Sequence, residues 1–509
     1  MGAMLRLRDY FVAVLLLQFP LVTVGQAGAA EARTAQYMES IRTRTPELTA
    51  FLREMPKGGD LHNHLGGAIY AESMIAWGAQ DSVCIELTTL RSVRPPCDSA
   101  NRPPLSTALT NSTLYGSIID AWSVRNRDRT RRNGHDQFFD TFGKFSAALE
   151  RRTGYALAEV SSRAAGGNVS YLELMITAGG PGGPIGIGSS VRWTDDFQVM
   201  VQRLSAAGIT DAVRAGIAEI DTSEVRRNQL LRCGTPTADP GCDVTMRYLY
   251  QVLRATQPAQ IFAQILTGFM LASEDSRVVG INLVQPEDDY VALRDYSLHM
   301  RMIEYLRMKY PQVAVTLHAG ELAPGLVPPE ALRFHIGQAV RVAGAKRIGH
   351  GTAIMHENAP YELLREMANR RTLVEIGLSS SDIILNIRGS DHPLRTYLAH
   401  GVPVALATDD EGVARSDLSQ EFLKAAREQN LTYVELKQMA RNSIEYAFVA
   451  GASLWVDPSF RQRVPQCTDL DSRSCSEFIA TSEKAILQRN LERAFARFEQ
   501  KYAERASTD

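Results

Sequence analysis

Short apolar runs rich in β-branched residues recur along the chain, each trailed by a stretch of helical texture, and this alternation restricts the fold more than any other feature. The runs are the one in 58–65 that carries His62, then Val169–Ile176, Ala212–Ala218, Val278–Val284, Val313–His318, Arg347–His350, Leu373–Gly377 and Val402–Asp409. Strands alternating with helices argue for a parallel sheet. Eight such units argue for a closed (β/α)8 TIM barrel, a fold that with insertions absorbs more than about 400 residues. A doubly wound open sheet is the alternative. It does not explain why polar residues gather at the carboxyl ends of so many runs, where barrel active sites lie.

Those polar residues suggest a chemistry. In Gly58-Gly59-Asp60-Leu61-His62-Asn63-His64-Leu65 the two histidines are two positions apart, and strand positions i and i+2 share a face. Both imidazoles then project into the barrel, where they can share one divalent metal. His318 ends the fifth run, ahead of Ala319-Gly320-Glu321; His350 ends the sixth, and Asp409-Asp410 the eighth. A lone histidine at a strand end is usually a hydrogen-bonded structural residue, whereas four with an aspartate at one barrel mouth read as a ligand set. Catalytic zinc takes nitrogen and carboxylate ligands and keeps a position for water. His62, His64, His318 and Asp409 are therefore the expected ligands of one Zn2+ per chain, a metal that brings the pKa of its water toward neutrality. His350 beside Asp409 is placed to orient that water, and Glu321 to hand a proton to the substrate. Adjacent aspartates face opposite ways in a continuing strand; a turn at this point lets Asp409 bind metal while Asp410 reaches the substrate.

The remainder of the chain sets the context. A formal net charge of −2 gives no reason to expect nucleic acid or an anionic membrane as a partner. Arg6 and Arg8 precede the apolar stretch Tyr10–Val24, and Ala27-Gly28-Ala29-Ala30 follows. This is the layout of a signal peptide cleaved near Ala29 or Ala30, with an apolar stretch too short to span a bilayer comfortably. The mature chain is accordingly expected to be periplasmic or secreted, with no membrane attachment after cleavage. Its six cysteines allow 15 connectivities, of which pairing of sequence neighbours (Cys84 with Cys97, Cys233 with Cys242, Cys467 with Cys475) is the simplest, and an oxidising compartment favours it. The expected organisation is a signal peptide at 1–30 and a helical extension at 31–55, interrupted only at Pro46. A barrel follows at 56–450, with an insertion at about 78–136 between the first strand and its helix, and a tail at 451–509 that ends in a helix over Glu477–Arg505. Gly179–Gly188 lacks the GxxxxGK[ST] and GxGxxG patterns of phosphate-binding loops and reads as a flexible rim loop. The basic run Arg125–Arg132 reads as a solvated loop rather than a polyanion site.

The segments His62-Asn63-His64, His318-Ala319-Gly320-Glu321, Arg347-Ile348-Gly349-His350-Gly351 and Thr408-Asp409-Asp410 together resemble the adenosine deaminase branch of the metal-dependent amidohydrolases. The resemblance runs from about Met55 to Ala447. The signal peptide, cysteines and insertion look most like the secreted growth-factor-related deaminases. It implies zinc on His62, His64, His318 and Asp409, with Glu321 protonating purine N1 as water adds at C6. His350 would orient or deprotonate the water, and Asp410 would hydrogen-bond N7. The implied partner is a small-molecule purine nucleoside, adenosine or deoxyadenosine, converted to inosine or deoxyinosine and ammonia. Another 6-aminopurine (adenine, a 5′-modified or an N6-substituted adenosine) is the alternative substrate, and a secreted adenosine-binding signalling protein without turnover the alternative role. The H-x-E and P-C-x-x-C ligands of cytidine-type deaminases are absent. Three positions depart from the family pattern. Gly66 stands where cytosolic enzymes carry a ribose-contacting Asp, so that contact passes to another residue, with the insertion a candidate source. Gln285 stands where a glycine lets backbone approach the purine, and Ser380-Ser381 replaces a Ser-Asn pair.

Overall fold

The computed structural model describes residues 24–127, 133–180 and 182–505. Residues 1–23, most of the expected signal peptide, lie outside the described residues, as do positions 128–132 of the basic run and Pro181 of the glycine-rich loop. Eight parallel strands form one sheet: β1 (Gly58–His64), β2 (Val169–Ile176), β3 (Thr245–Leu253), β4 (Val278–Val284), β5 (Ala314–Ala319), β6 (Arg347–His350), β7 (Leu373–Ile376) and β8 (Val404–Leu406). Each strand pairs with the next in sequence, and a parallel bridge between Asn63 and Asp409 joins the last to the first. The sheet is thus a (β/α)8 barrel.

Seven of the eight expected strands are where the apolar runs are; the third is not. Ala212–Ala218 lies inside a helix, Ile209–Leu230. The run is alanine-rich, and its buried positions Ile209, Ala212, Val213, Gly216 and Ile220 repeat at helical spacing rather than every second residue. The true third strand, Thr245–Leu253, carries Arg247 and Gln251 among its Tyr, Leu and Val residues, and these broke up its apolar signature. β8 is shorter than Val402–Asp409, because the chain turns after Leu406 to deliver the two aspartates.

Outside the barrel the boundaries shift. The N-terminal extension is two helices, Val24–Ile41 and Thr45–Glu54. The break falls at residues 42–44, and Pro46 sits in the first turn of the second helix, where its missing N–H is harmless. The insertion does not directly follow β1, since the helix Ala71–Gln80 comes first and covers position 78. A small hairpin (Cys84–Glu86 with Arg91–Val93) and a helix at Ser112–Ala121 then occupy the insertion. At the start of the basic run, Arg125 pairs with Asp120 at 2.5 Å and Arg127 with Asp382 at 3.3 Å. Half of the glycine-rich segment is helical, over Gly183–Ser190. The tail holds two helices, Arg473–Ile479 and Glu483–Arg505, in place of one. The second returns to the N-terminal extension: Phe51, Tyr433, Phe498 and Tyr502 form an aromatic cluster, and Lys437 pairs with Glu499 at 2.5 Å. The three disulfides join Cys84–Cys97, Cys233–Cys242 and Cys467–Cys475, with Cα separations of 5.4, 5.6 and 4.4 Å, inside the range such bonds require.

The barrel interior carries charge as well as hydrocarbon. Arg347, fully buried, donates to Glu173 on β2 and to Glu375 on β7, both at 2.5 Å, and to the Tyr446 carbonyl at 3.0 Å. Its guanidinium lies 3.7 Å from the centroid of the Phe448 ring. Removing one partner of such a pair leaves the others charged and unmatched in a medium that solvates them poorly, at a cost of about 3–5 kcal/mol. Arg347→Met should therefore lose about 3–5 kcal/mol of stability, read from the denaturation midpoint, whereas a loss near zero would show that the network is not held as described.

Candidate active site

The mouth of the barrel gathers residues from six strand ends. His62 and His64 share the inner face of β1, His318 comes from β5 and Asp409 from the turn after β8; the donor atoms of all four lie within 4.8 Å of one another. His62 Nε2 is 3.0 Å from His318 Nε2 and 3.4 Å from Asp409 Oδ1. His64 Nε2 is 3.2 Å from each of the same two atoms. Ligands held about 2.0–2.2 Å from a common zinc are about 3–3.5 Å apart, so the four atoms sit at the edges of a coordination polyhedron. The far ring nitrogens are committed elsewhere, with His62 Nδ1 donating to Glu375 at 2.8 Å and His318 Nδ1 to Asn282 Oδ1 at 2.9 Å. That fixes the tautomer which presents Nε2 lone pairs inward. His318 is held neutral, first by burial and then by the imidazoles around it. The residues present fit a divalent metal.

Backbone strain delivers several of these groups. Asp409 (φ +61°), His350 (φ +65°) and Gln285 (φ +80°) occupy the left-handed region, which costs a side-chain-bearing residue about 1–3 kcal/mol and persists only where neighbours over-determine it. Asp409 is pinned through both backbone groups: its N–H donates to the His62 carbonyl and its C=O accepts from His64 N, each at 2.9 Å. At Gln285 the carbonyl accepts from Arg254 Nε and Nη2 at 2.9 and 2.8 Å, and Arg254 Nη1 reaches the His318 carbonyl at 3.3 Å. Fully buried Arg254 thus ties the ends of β3, β4 and β5 together.

Two groups stand ready to move protons. Burial, then the charges of Asp409 and Glu287, push the Glu321 carboxyl well above its ordinary range, so it is protonated near neutrality. Glu321 Oε1 lies 3.6 Å from His350 Nδ1. Burial drives the His350 imidazole down to about 4, leaving it neutral and able to accept a proton. Glu321, His350 and Asp409 bring donor atoms within 4.8 Å of one another. The adjacent aspartates separate in role as in direction. Asp409 stays ionised because hydrogen bonds from His62 and His64 outweigh its burial; burial and the neighbouring Asp409 charge keep Asp410 protonated. Asp410 Oδ1 has no partner within the protein.

These residues open onto a cavity of about 320 Å³, lined by His64, His318, Glu321, Asp409 and Asp410 together with Gln251, Leu253 and Gln285. Phe138, Phe139 and Phe142 from the helix Gly134–Leu149 form a wall just beyond the expected insertion. His135 of that helix contacts Asp288 after β4 at 3.2 Å. Every predicted metal and proton-transfer residue is therefore brought together, and Gln285 and Asp410 face the cavity. Ser380 and Ser381 do not line it; the Ser380 hydroxyl donates to the Gly377 carbonyl.

Several supporting groups escaped the sequence reading. Glu375 and Asn282 each interrupt an apolar strand, a visible signal that a polar side chain faces a barrel interior. Glu287 left no such signal: it accepts from Gly320 N at 3.0 Å and Glu321 N at 2.7 Å and pairs with His335 Nδ1 at 2.6 Å, holding the turn that aims Glu321.

A barrel with histidines and an aspartate converging at its mouth, beside a protonated glutamate, defines the metal-dependent hydrolase class. Comparison with known proteins narrows the class. The adenosine deaminase family model matches residues 201–453. Adenosine deaminases of Vibrio cholerae (24% identical) and Shigella flexneri (26%) each align over 77% of this chain and 93% of their own length. Among solved structures, a zinc-bound amidohydrolase from Burkholderia ambifaria shares the fold with a TM-score of 0.54 at 19% identity, covering 91% of this chain and 95% of its own. An adenine deaminase from Arthrobacter aurescens gives 0.50 at 15%, covering 86% and 98%, and the ADAL–IMP complex 0.51 at 19%, covering 79% and 94%. The chain belongs to the adenosine deaminase family and is a hydrolytic deaminase acting on a purine.

Asp410 leaves almost no room for change around it. A Cβ built on Gly67 would stand 1.6 Å from Asp410 Oδ1, and a displacement near 1 Å at reacting groups costs about 10²-fold. Gly67→Ala should cut kcat/KM by about 10²-fold while leaving bound metal unchanged, as steady-state assays and elemental analysis would show.

Proposed function

We propose that this chain is an exported, zinc-dependent deaminase of adenosine and deoxyadenosine, yielding inosine or deoxyinosine and ammonia. The observation that carries a nucleoside rather than a nucleotide is the cavity lining: among the described residues it holds no lysine or arginine, so a phosphate would meet no fixed cation there. At about 320 Å³ the cavity is at the small end for ligand sites, which suits a base with a sugar. The basic N-terminus followed by an apolar stretch, together with three disulfides, supports export.

His62, His64, His318 and Asp409 would hold the zinc, which when bound lowers the pKa of water toward neutrality and so supplies a nucleophile. His350, neutral and within reach of Asp409, orients that water and takes its proton. Glu321 enters protonated and delivers its proton to N1 as the bond to C6 forms, removing the charge that would otherwise build on the ring. Protonated Asp410 donates to N7, an acceptor, and fixes which face of the purine meets the water. The phenylalanine wall excludes bulk water and covers the apolar face of the base. His350 then gives its proton to the departing amino group, the C6–N bond breaks as ammonia leaves, and the C6 hydroxyl proton returns to Glu321 as the carbonyl forms.

Loss of adenosine absorbance with the purified mature protein, abolished by a chelator and restored by zinc, tests the reading; turnover indifferent to the chelator would overturn its metal dependence. Glu321→Gln should retain metal while kcat falls by about 10²–10⁴, the usual size of a general-acid contribution. His62→Ala should lose the metal itself.

A further inference from the structure

Apart from the catalytic histidines and carboxylates, two side chains lining the cavity carry hydrogen-bonding groups, Gln251 and Gln285. The Oε1 of Gln285 already receives the Ala255 N–H at 2.8 Å, which ties that side chain to the backbone after β3. Gln251 is held the other way round. Its Nε2 donates to Thr177 Oγ1 at 2.8 Å, which fixes the amide plane and leaves Oε1 open as an acceptor.

Strand register says where that acceptor is. His64 lies opposite Met175, and Met175 opposite Leu249. Two residues past these partners come Gly66, in the turn that follows β1, Thr177, just past the end of β2, and Gln251, still on β3. Alternation along β3 puts Gln251 on the face of Leu253, which also lines the cavity. Gly66 contributes no side chain, and a Cβ built there would meet only Leu149 Cδ1, at 3.9 Å. The space at Gly66 is therefore open, and Gln251, a neutral acceptor, lines the same cavity. With Glu321 at N1 and Asp410 at N7, the substituent at N9 points away from both, and Gln251 is a hydrogen-bonding side chain of the lining outside that pair.

We infer that Gln251, braced by Thr177, is the residue that reads the sugar: its Oε1 accepts a hydrogen bond from a ribose hydroxyl. The inference rests on the nucleoside reading above. A neutral amide suits a hydroxyl donor, and the phenylalanines and Ile384 around it offer that hydroxyl nothing.

The test compares kcat/KM of wild type, Gln251→Leu and Gln251→Glu in the zinc-loaded full chain on adenosine and its 2′-, 3′- and 5′-deoxy forms, with thermal midpoint and bound zinc as controls. Gln251→Leu should lose about 10-fold on adenosine, mainly through KM, the size of one neutral hydrogen bond. The penalty should vanish on the deoxy form that lacks the contacted hydroxyl. Gln251→Glu, which keeps an acceptor in place, should lose less than Gln251→Leu on adenosine. Equal rates for Gln251→Leu and wild type on adenosine, or the same loss on all three deoxy forms, would overturn the inference alone. A wild type inactive on adenosine and every deoxy form would instead overturn the nucleoside reading, and this inference with it.

Discussion

The structure depends on two backbone hydrogen bonds, from Asp409 N to the His62 carbonyl and from His64 N to the Asp409 carbonyl. They join the turn after β8 to β1 and so close the barrel. They also bring Asp409 against His62 and His64, so closing the sheet and assembling three of the four residues of the metal site are one event. A barrel left open at this seam would hold β1 and β8 at its two edges, with the Asp409 carboxylate as far from the imidazoles as the sheet is wide. Neither the left-handed Asp409 nor the short β8 is a defect in this light. A longer, regular strand would send Asp409 and Asp410 to opposite faces, and only one of them would reach the cavity.

The cost of gathering this much charge out of water is offset by continuity. Glu173 pairs with Arg347, Arg347 with Glu375, Glu375 with His62, and His62 with the cluster. Thr316 adds a hydroxyl donor to Glu375. Each buried ion is matched on both sides, the condition under which such groups are tolerated. The chain also makes the floor of the barrel and its mouth mechanically one object. The imidazole plane of His62 is set by a carboxylate whose own position is set by an arginine beneath it.

What was legible in the sequence followed from periodicity and from residue type at strand ends. Seven strands and all the predicted ligands could be read because an apolar run ending in His or Asp is a local pattern. β3 was misplaced because a barrel strand that supplies a cavity wall must carry polar residues. Arg247 and Gln251 hid it, while the alanine-rich helix at Ile209–Leu230 mimicked a strand. Glu287, His335 and Arg254 were invisible for a different reason: their work is to hold backbone turns, and no local pattern marks which carbonyl or amide a distant side chain will reach. The three cysteine pairs were legible as near neighbours, since closing a short loop needs little chain entropy.

The phenylalanine wall shows why one segment lay between these cases. Phe138, Phe139 and Phe142 lie on one helix, Gly134–Leu149, whose apolar residues pack largely against the core. Yet the same helix crosses the cavity, tied by His135 to Asp288, two residues from the Pro286 that lines it. Its aromatic face is therefore divided between core and substrate chamber. The hairpin of the preceding insertion is stapled by Cys84–Cys97. Among the lining residues that segment supplies no titratable group, and the helix after it supplies three phenylalanines. An apolar wall thus stands over a polar floor, and a purine between them is held away from water while the protons move.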